Sequence, residues 1–98
     1  MPRLSLSPRA QTDLVKIWNY IADDNESNAD AFVGKLYTAL QMLAKQPSVG
    51  RRREDIRAGL RSFLVGRYII FYQSRKATLE ISRVLHAARN IAPLFEEN

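Results

Sequence analysis

The spacing of apolar residues changes character about halfway along this chain. Arg3-Leu4-Ser5-Leu6-Ser7 alternates polar and apolar positions, as a half-buried strand does. Ser7-Pro8 then reads as a helix start, with a side-chain cap followed by proline at the first helical position. Ala10, Leu14, Ile17 and Ile21 recur at helical spacing and define one face, widened by Trp18 and Ala22. The polar run Asp23 to Asn28 breaks the helix, and Ser27 with Asp30 forms a weak capping box for a second one. That helix places Ala29, Phe32, Val33, Leu36, Leu40 and Leu43 on one face and stops near Gln46, because Pro47 disfavours helix at the residue before it.

From residue 60 onward the pattern is that of strands. Pro47 to Arg53 reads as a loop. Leu60 to Val65 is an apolar run, Gly66-Arg67 a tight turn, and Tyr68-Ile69-Ile70-Phe71-Tyr72 a β-branched and aromatic run suited to the middle of a sheet. Gln73 to Ala77 reads as a polar hairpin connection, and Thr78 to His86 as the last long strand. The tail from Ala87 is irregular or a short helix. The order β-α-α-β-β-β predicts an α+β fold in one domain, residues 1–98. An N-terminal helical hairpin packs on one face of an antiparallel sheet and leaves the other face open as a binding surface.

Charge sharpens this picture. Residues 1–50 hold five Lys/Arg and five Asp/Glu, whereas residues 51–98 hold ten and five, which accounts for the whole net charge of +5. Nine of those ten are arginines, whose planar fork suits phosphates and carboxylates. The sheet half therefore faces an acidic partner, either nucleic acid or an acidic protein segment. There is no cysteine, which removes disulfides and thiolate metal sites, and no apolar run of membrane-spanning length or secretory character. The expectation is a cytoplasmic protein.

Candidate chemistry is sparse. One histidine excludes a His-His metal motif, the four glycines make no phosphate-cradling loop, and Asp23, Asp24 and Glu26 lack calcium-loop spacing. No metal or cofactor is expected. Arg51-Arg52-Arg53 is the best charge cluster. Tyr68 and Tyr72 share one strand face by alternation. Trp18 and Tyr20 read as packing within the helical hairpin, and Arg61 and Arg83 as ion-pair partners for Glu80 or Asp55.

Two segments are more specific: Gly59 to Tyr72, and Arg83-Val84-Leu85-His86-Ala87-Ala88-Arg89-Asn90. Together with Leu6-Ser7-Pro8-Arg9-Ala10, Asp13-Leu14, Ile17-Trp18-Asn19-Tyr20-Ile21-Ala22 and Pro47-Ser48-Val49-Gly50-Arg51, they resemble the ParE family of bacterial toxins, within the ParE/RelE superfamily. The resemblance covers nearly the whole chain. It implies a RelE/ParE-like fold and a toxin of a type II toxin–antitoxin module that binds DNA gyrase, traps it on cleaved DNA and stabilises plasmids. It also implies silencing by a cognate antitoxin in a hetero-oligomer. The basic sheet half adds that the antitoxin segment is acidic and amphipathic. The alternative is a RelE-like ribosome-dependent mRNA endonuclease, for which Arg61, Arg83 and His86 are the candidate catalytic groups. Against it, no lysine lies between Gln46 and Arg75, and no tyrosine follows Tyr72. The candidate target- or antitoxin-binding residues are Arg51, Arg52, Arg53, Arg61, Tyr68, Tyr72, Arg83, His86 and Arg89, with His86 read first as a hydrogen-bonding group at a strand end.

Overall fold

Ser7 marks the boundary between the first strand and the first helix. Strand β1 (Arg3–Leu6) ends there, and the Ser7 Oγ accepts the Ala10 N–H at 3.0 Å, which caps helix α1 (Pro8–Ala22). This computed structural model describes residues 3–89 and 91–96. Helix α2 (Glu26–Lys45) returns along α1. Its cap is Asn25, whose side chain accepts the Asn28 N–H, and not the expected Ser27. Asn25 has the extended backbone a cap requires, whereas Ser27 already lies inside the first turn. A 3-10 turn (Pro47–Val49) leads to the two-residue strand β2 (Arg51–Arg52), so the expected loop contains a short sheet edge. Strands β3 (Arg61–Val65), β4 (Tyr68–Arg75) and β5 (Thr78–His86) follow, and then a short helix α3 (Ala92–Glu96).

The α+β class and the element order match the sequence pattern. The sheet has five strands in the order β1-β5-β4-β3-β2. Its sequential strands pair antiparallel, but β1 lies parallel to β5, with Arg3 to Leu6 opposite Thr78 to Ile81, so the sheet is mixed. The reason is topological. Strand β1 leads directly into α1, which packs beside β5, and Ser7 at their junction bonds the Ile81 and Ser82 carbonyls, so β1 is seated on the outer edge of β5. Strand β4 also runs three residues beyond the expected hairpin boundary. The turn is Lys76-Ala77, both left-handed, with φ of 48° and 61°. Asn-Gly is the usual sequence at such a turn, so Lys-Ala gave no signal.

Ala10, Leu14 and Ile17 of α1 and Leu36, Leu40 and Leu43 of α2 meet Ile70, Tyr72, Leu79, Ile81 and Val84 of the sheet to form the main core. Ile81 and Val84 face the same way despite being three apart. Phe71 pairs with Arg83 while Tyr72 pairs with Ile81, so Ser82 is an extra residue that rephases the strand. The opposite face is not open as expected. Leu60, Phe71 and Leu85 are buried there beneath Ile56, Ile69, Ile91, Leu94 and Phe95. The loop before β3 and the C-terminal helix cover it, because a twisted sheet of β-branched and aromatic residues presents apolar side chains on both faces. Leu64, 61% exposed, is the large apolar residue of β3 left uncovered.

Leu36 is wholly buried between the helices and the sheet. Replacing it with alanine is expected to lower stability by about 2–5 kcal/mol, read as a shift of the urea midpoint at unchanged slope. A wild-type midpoint would mean that α2 is rotated relative to the sheet.

Candidate functional site

The nine candidate residues fall into two groups at different places on the sheet. The first gathers after α2. Tyr72, wholly buried, donates its hydroxyl proton to the Pro47 carbonyl and accepts the Gly50 N–H, both at 2.8 Å. Gly50 lies so close to the Tyr72 ring that any Cβ would collide with it. Arg61 donates to the carbonyls of Gly50 at 2.8 Å and Ser48 at 3.2 Å. Neither Arg61 nor Arg83 meets Glu80 or Asp55. Glu80 faces Arg75 and Gln73, and Asp55 pairs with Arg53 at 3.2 Å. The hydrogen bonds from Arg53 hold the Asp55 carboxyl below the usual carboxylate range. Arg53 also lies over the Phe71 ring at 5.6 Å. Arg51 and Arg52, pinned on β2 by this loop, remain exposed.

The second group lies along the seam between α1 and β5. Strand β1 stops at Ile81, so the edge of β5 beyond it has no strand partner. Ser7 closes the first part: its N–H donates to the Ile81 carbonyl and its hydroxyl to the Ser82 carbonyl. Asp13 closes the next. Its Oδ2 accepts the Val84 N–H at 3.0 Å and the Arg83 Nε at 2.8 Å, while Oδ1 accepts an Arg83 terminal N–H at 3.0 Å. Both side chains of this ion pair are nearly buried, at 8% and 12% exposure. Arg83 reaches further, to the Leu94 carbonyl at 3.3 Å, and so ties α3 to the same point. His86, at the end of β5, accepts the Ala88 N–H on Nδ1 and meets the Tyr68 ring edge-on at 5.1 Å. Burial, and then the neighbouring Tyr20, push the Tyr68 hydroxyl pKa upward.

Three clefts follow this seam. One of about 470 Å³ lies between Ser7, Arg57, Ser82 and Phe95. A second, about 390 Å³, shares Pro8, Arg9, Arg83 and Leu94 with it and extends to Lys16 and Arg89. A third, about 260 Å³, shares Asp13, Lys16 and Arg89 with the second and ends among Tyr20, Tyr68 and His86. Sequence reasoning missed Arg9, Lys16, Tyr20 and Arg57 here. Tyr20 is 75% exposed at the groove and does not pack inside the hairpin, where Trp18 instead donates its indole N–H to Asp30. One signal was available: Asp13 stands in the stripe Ala10, Leu14, Ile17, and a charge in an apolar face needs a buried partner.

The structure does not bring Arg61, Arg83 and His86 together. Arg61 pairs with Tyr72 in the middle of β4 and His86 with Tyr68 at its start, four residues or about 13 Å apart along the strand. Arg83 pairs with Phe71, whose ring faces the second core, whereas Arg61 is opposite Tyr72, which faces the helices. Among the described residues no group of three His, Cys, Asp or Glu side chains is placed to hold a metal ion, and no helix is long and apolar enough to cross a membrane.

The family described as "ParE toxin of type II toxin-antitoxin system, parDE" matches residues 4–91. The chain belongs to this family of toxins. It is 37% identical over 87 residues to Toxin ParE1 of Caulobacter vibrioides, covering 87% of this chain and 88% of the relative. It is 32% identical over 91 residues to Toxin ParE1 of Mycobacterium tuberculosis, covering 91% and 93%. Toxin RelE3 of Caulobacter vibrioides is 27% identical, over 89% of this chain and 96% of that one. The fold is also that of a chain from the chromosomal ParDE system of P. aeruginosa, with a TM-score of 0.75 at 18% identity, covering 88% of this chain and 96% of that chain.

Two outcomes test how the toxin is held together. Asp13→Ala is expected to cost about 3–5 kcal/mol in chemical denaturation, because it strands the Arg83 charge and the Val84 N–H together. An apolar pair, Asp13→Leu with Arg83→Met, should recover most of that loss. Burial also raises the Tyr72 pKa above the ordinary 10.0, against the opposing Gly50 N–H and Arg61. Its folded-state pKa therefore exceeds the unfolded one. The associated stability is intact below about pH 10 and is lost as pH rises through the folded value. Urea midpoints should hold between pH 7 and roughly 9.5 and fall above it, and Tyr72→Phe should flatten that fall.

Proposed function

We propose that this toxin acts by binding DNA gyrase and trapping it on cleaved DNA, without turnover. An acidic, amphipathic antitoxin segment neutralises it in a cytoplasmic hetero-oligomer. The observation that carries the binding reading is the dispersal of the candidate ribonuclease groups. A general acid, a general base and a phosphate-stabilising cation must reach one phosphodiester together. Arg61 is used to hold a loop, Arg83 is used in an ion pair, and His86 lies four residues along β4 from the position opposite Arg61. The ParE relatives and the family match support the same reading. Exposed Arg51 and Arg52 suit the rim of an acidic partner, where charge raises the association rate more than it slows release. In that complex the antitoxin covers the exposed cations of β2.

The test runs purified toxin against gyrase on supercoiled plasmid, beside an in vitro translation reaction. Loss of supercoiling or accumulation of cleaved plasmid is expected, with translation unaffected. Folded His86→Gln is expected to keep toxicity, whereas a ribonuclease that lost its acid or base would fall about 10²–10⁴-fold. Likeness to Toxin RelE3 gives the translation arm its purpose. Cutting of mRNA on ribosomes with gyrase untouched would overturn the proposal.

A further inference from the structure

The three clefts along the α1–β5 seam share lining residues in sequence, so they form one groove. It extends beside α1 from Pro8 to Tyr20, about 18 Å at the helical rise per residue. We propose that this groove binds a single strand of nucleic acid directly, an activity separate from recognition of gyrase.

Among the described residues that line the groove, cations outnumber carboxylates. Arg57 borders one end, and Lys16 and Arg89 border the middle. The carboxylate among the lining residues, Asp13, is already engaged by Arg83 and by the Val84 N–H, so it offsets none of them. Arg57 is held in a way that leaves donors available. Its guanidinium lies over the Phe95 ring at 5.2 Å and gives one hydrogen bond to Ser82 Oγ at 3.2 Å. A guanidinium stacked flat on a ring presents its remaining N–H groups edgewise, the geometry that meets phosphate oxygens.

The far end supplies the second element. Tyr20 is largely exposed, and the Tyr68 and His86 rings, packed edge-on against each other at 5.1 Å, line the same cleft of about 260 Å³. Ile17 and Val84 of the main core supply its apolar part. An exposed ring stacks on any base, whatever its edge presents. Cations that follow a backbone and rings that take bases are how sequence-tolerant single-strand sites work. Paired bases cannot reach such rings, so duplex DNA is the wrong ligand. An acidic peptide would satisfy the cations but would gain little from the rings.

The probes are a short mixed-sequence DNA strand, its RNA counterpart, the DNA duplex and a poly-glutamate peptide of matched charge, each titrated with full-length toxin across a range of salt. Binding of a single strand in preference to the duplex is expected. Whether the deoxy or the ribo strand binds more tightly identifies the natural source. Replacing Lys16, Arg57 and Arg89 together with glutamine should reduce the slope of log affinity against log salt by about 2, or roughly 0.7 for each phosphate left without its cation. Tyr20→Ala, at an exposed position, should weaken binding about 5- to 150-fold while leaving the slope unchanged. Circular dichroism melts of both variants check the fold, and Tyr20→Ala stands alone if the triple variant unfolds. Equal affinity for the peptide, duplex binding as tight as single-strand binding, or no effect of Tyr20→Ala would each overturn the proposal. None of these measurements involves gyrase, so they stand or fall apart from the topoisomerase assay.

Discussion

The fold depends on how the toxin closes the second half of β5. That strand lies next to the sheet edge, and β1 covers only its first four residues. Beyond Ile81 its polar backbone would face the packed end of α1 without partners, a cost comparable to a missing hydrogen bond for each group. Asp13 answers this with one carboxylate. It accepts the Val84 N–H as a neighbouring strand would and fixes Arg83 with both oxygens. Arg83 in turn holds the Leu94 carbonyl, so helix, strand and C-terminal segment meet at one ion pair. Isolated surface pairs contribute little, but a nearly buried pair with its remaining sites filled is expensive to break. The Ser82 bulge lies beside this pair and lets Ile81 and Val84 both reach the main core.

The arginines of the second half divide between structure and surface. Arg61 secures the loop after α2, Arg83 secures α1, and Arg53 is held by Asp55 and the Phe71 face. Those side chains are used inside the fold. Arg51, Arg52, Arg57 and Arg89 lie where partners can reach them. Net charge alone therefore overstates how much arginine is available for recognition. With exposed Arg67 in the β3–β4 turn and Arg75 at the end of β4, the positions that remain are spread over several parts of the surface, β2 and the α1–β5 seam among them.

How much of this was legible beforehand varies with the kind of interaction. The N-cap at Ser7, both helix faces, the turn at Gly66 and the extent of β5 could be read in the residues, because each depends on neighbours within a few positions. Tyr72 was also correctly placed on the face it shares with Tyr68, though its grip on Pro47 and Gly50 was not visible. The Lys76-Ala77 turn escaped because its backbone is left-handed without the residues that normally announce it. The parallel pairing of β1 escaped because it joins strands more than 70 residues apart. The covered far face escaped because the C-terminal segment has too little periodicity to be assigned a side.

The sequence alone determined that this is an α+β toxin of the ParE family with an unbalanced, arginine-rich second half. Those properties follow from local periodicity, composition and ordered motifs. Tertiary structure decided which arginines are available and which are consumed. Asp13 and Arg83 lie 70 positions apart, and only the packing of α1 on β5 makes them a pair. It also decided that Arg61, Arg83 and His86 do not form one site. Strand pairing sets the first and last four residues apart along β4, and Arg61 is bonded to the loop after α2 while Arg83 is bonded to Asp13 of α1. Burial and pairing depend on which distant segments come into contact, and a one-dimensional pattern carries no record of that geometry.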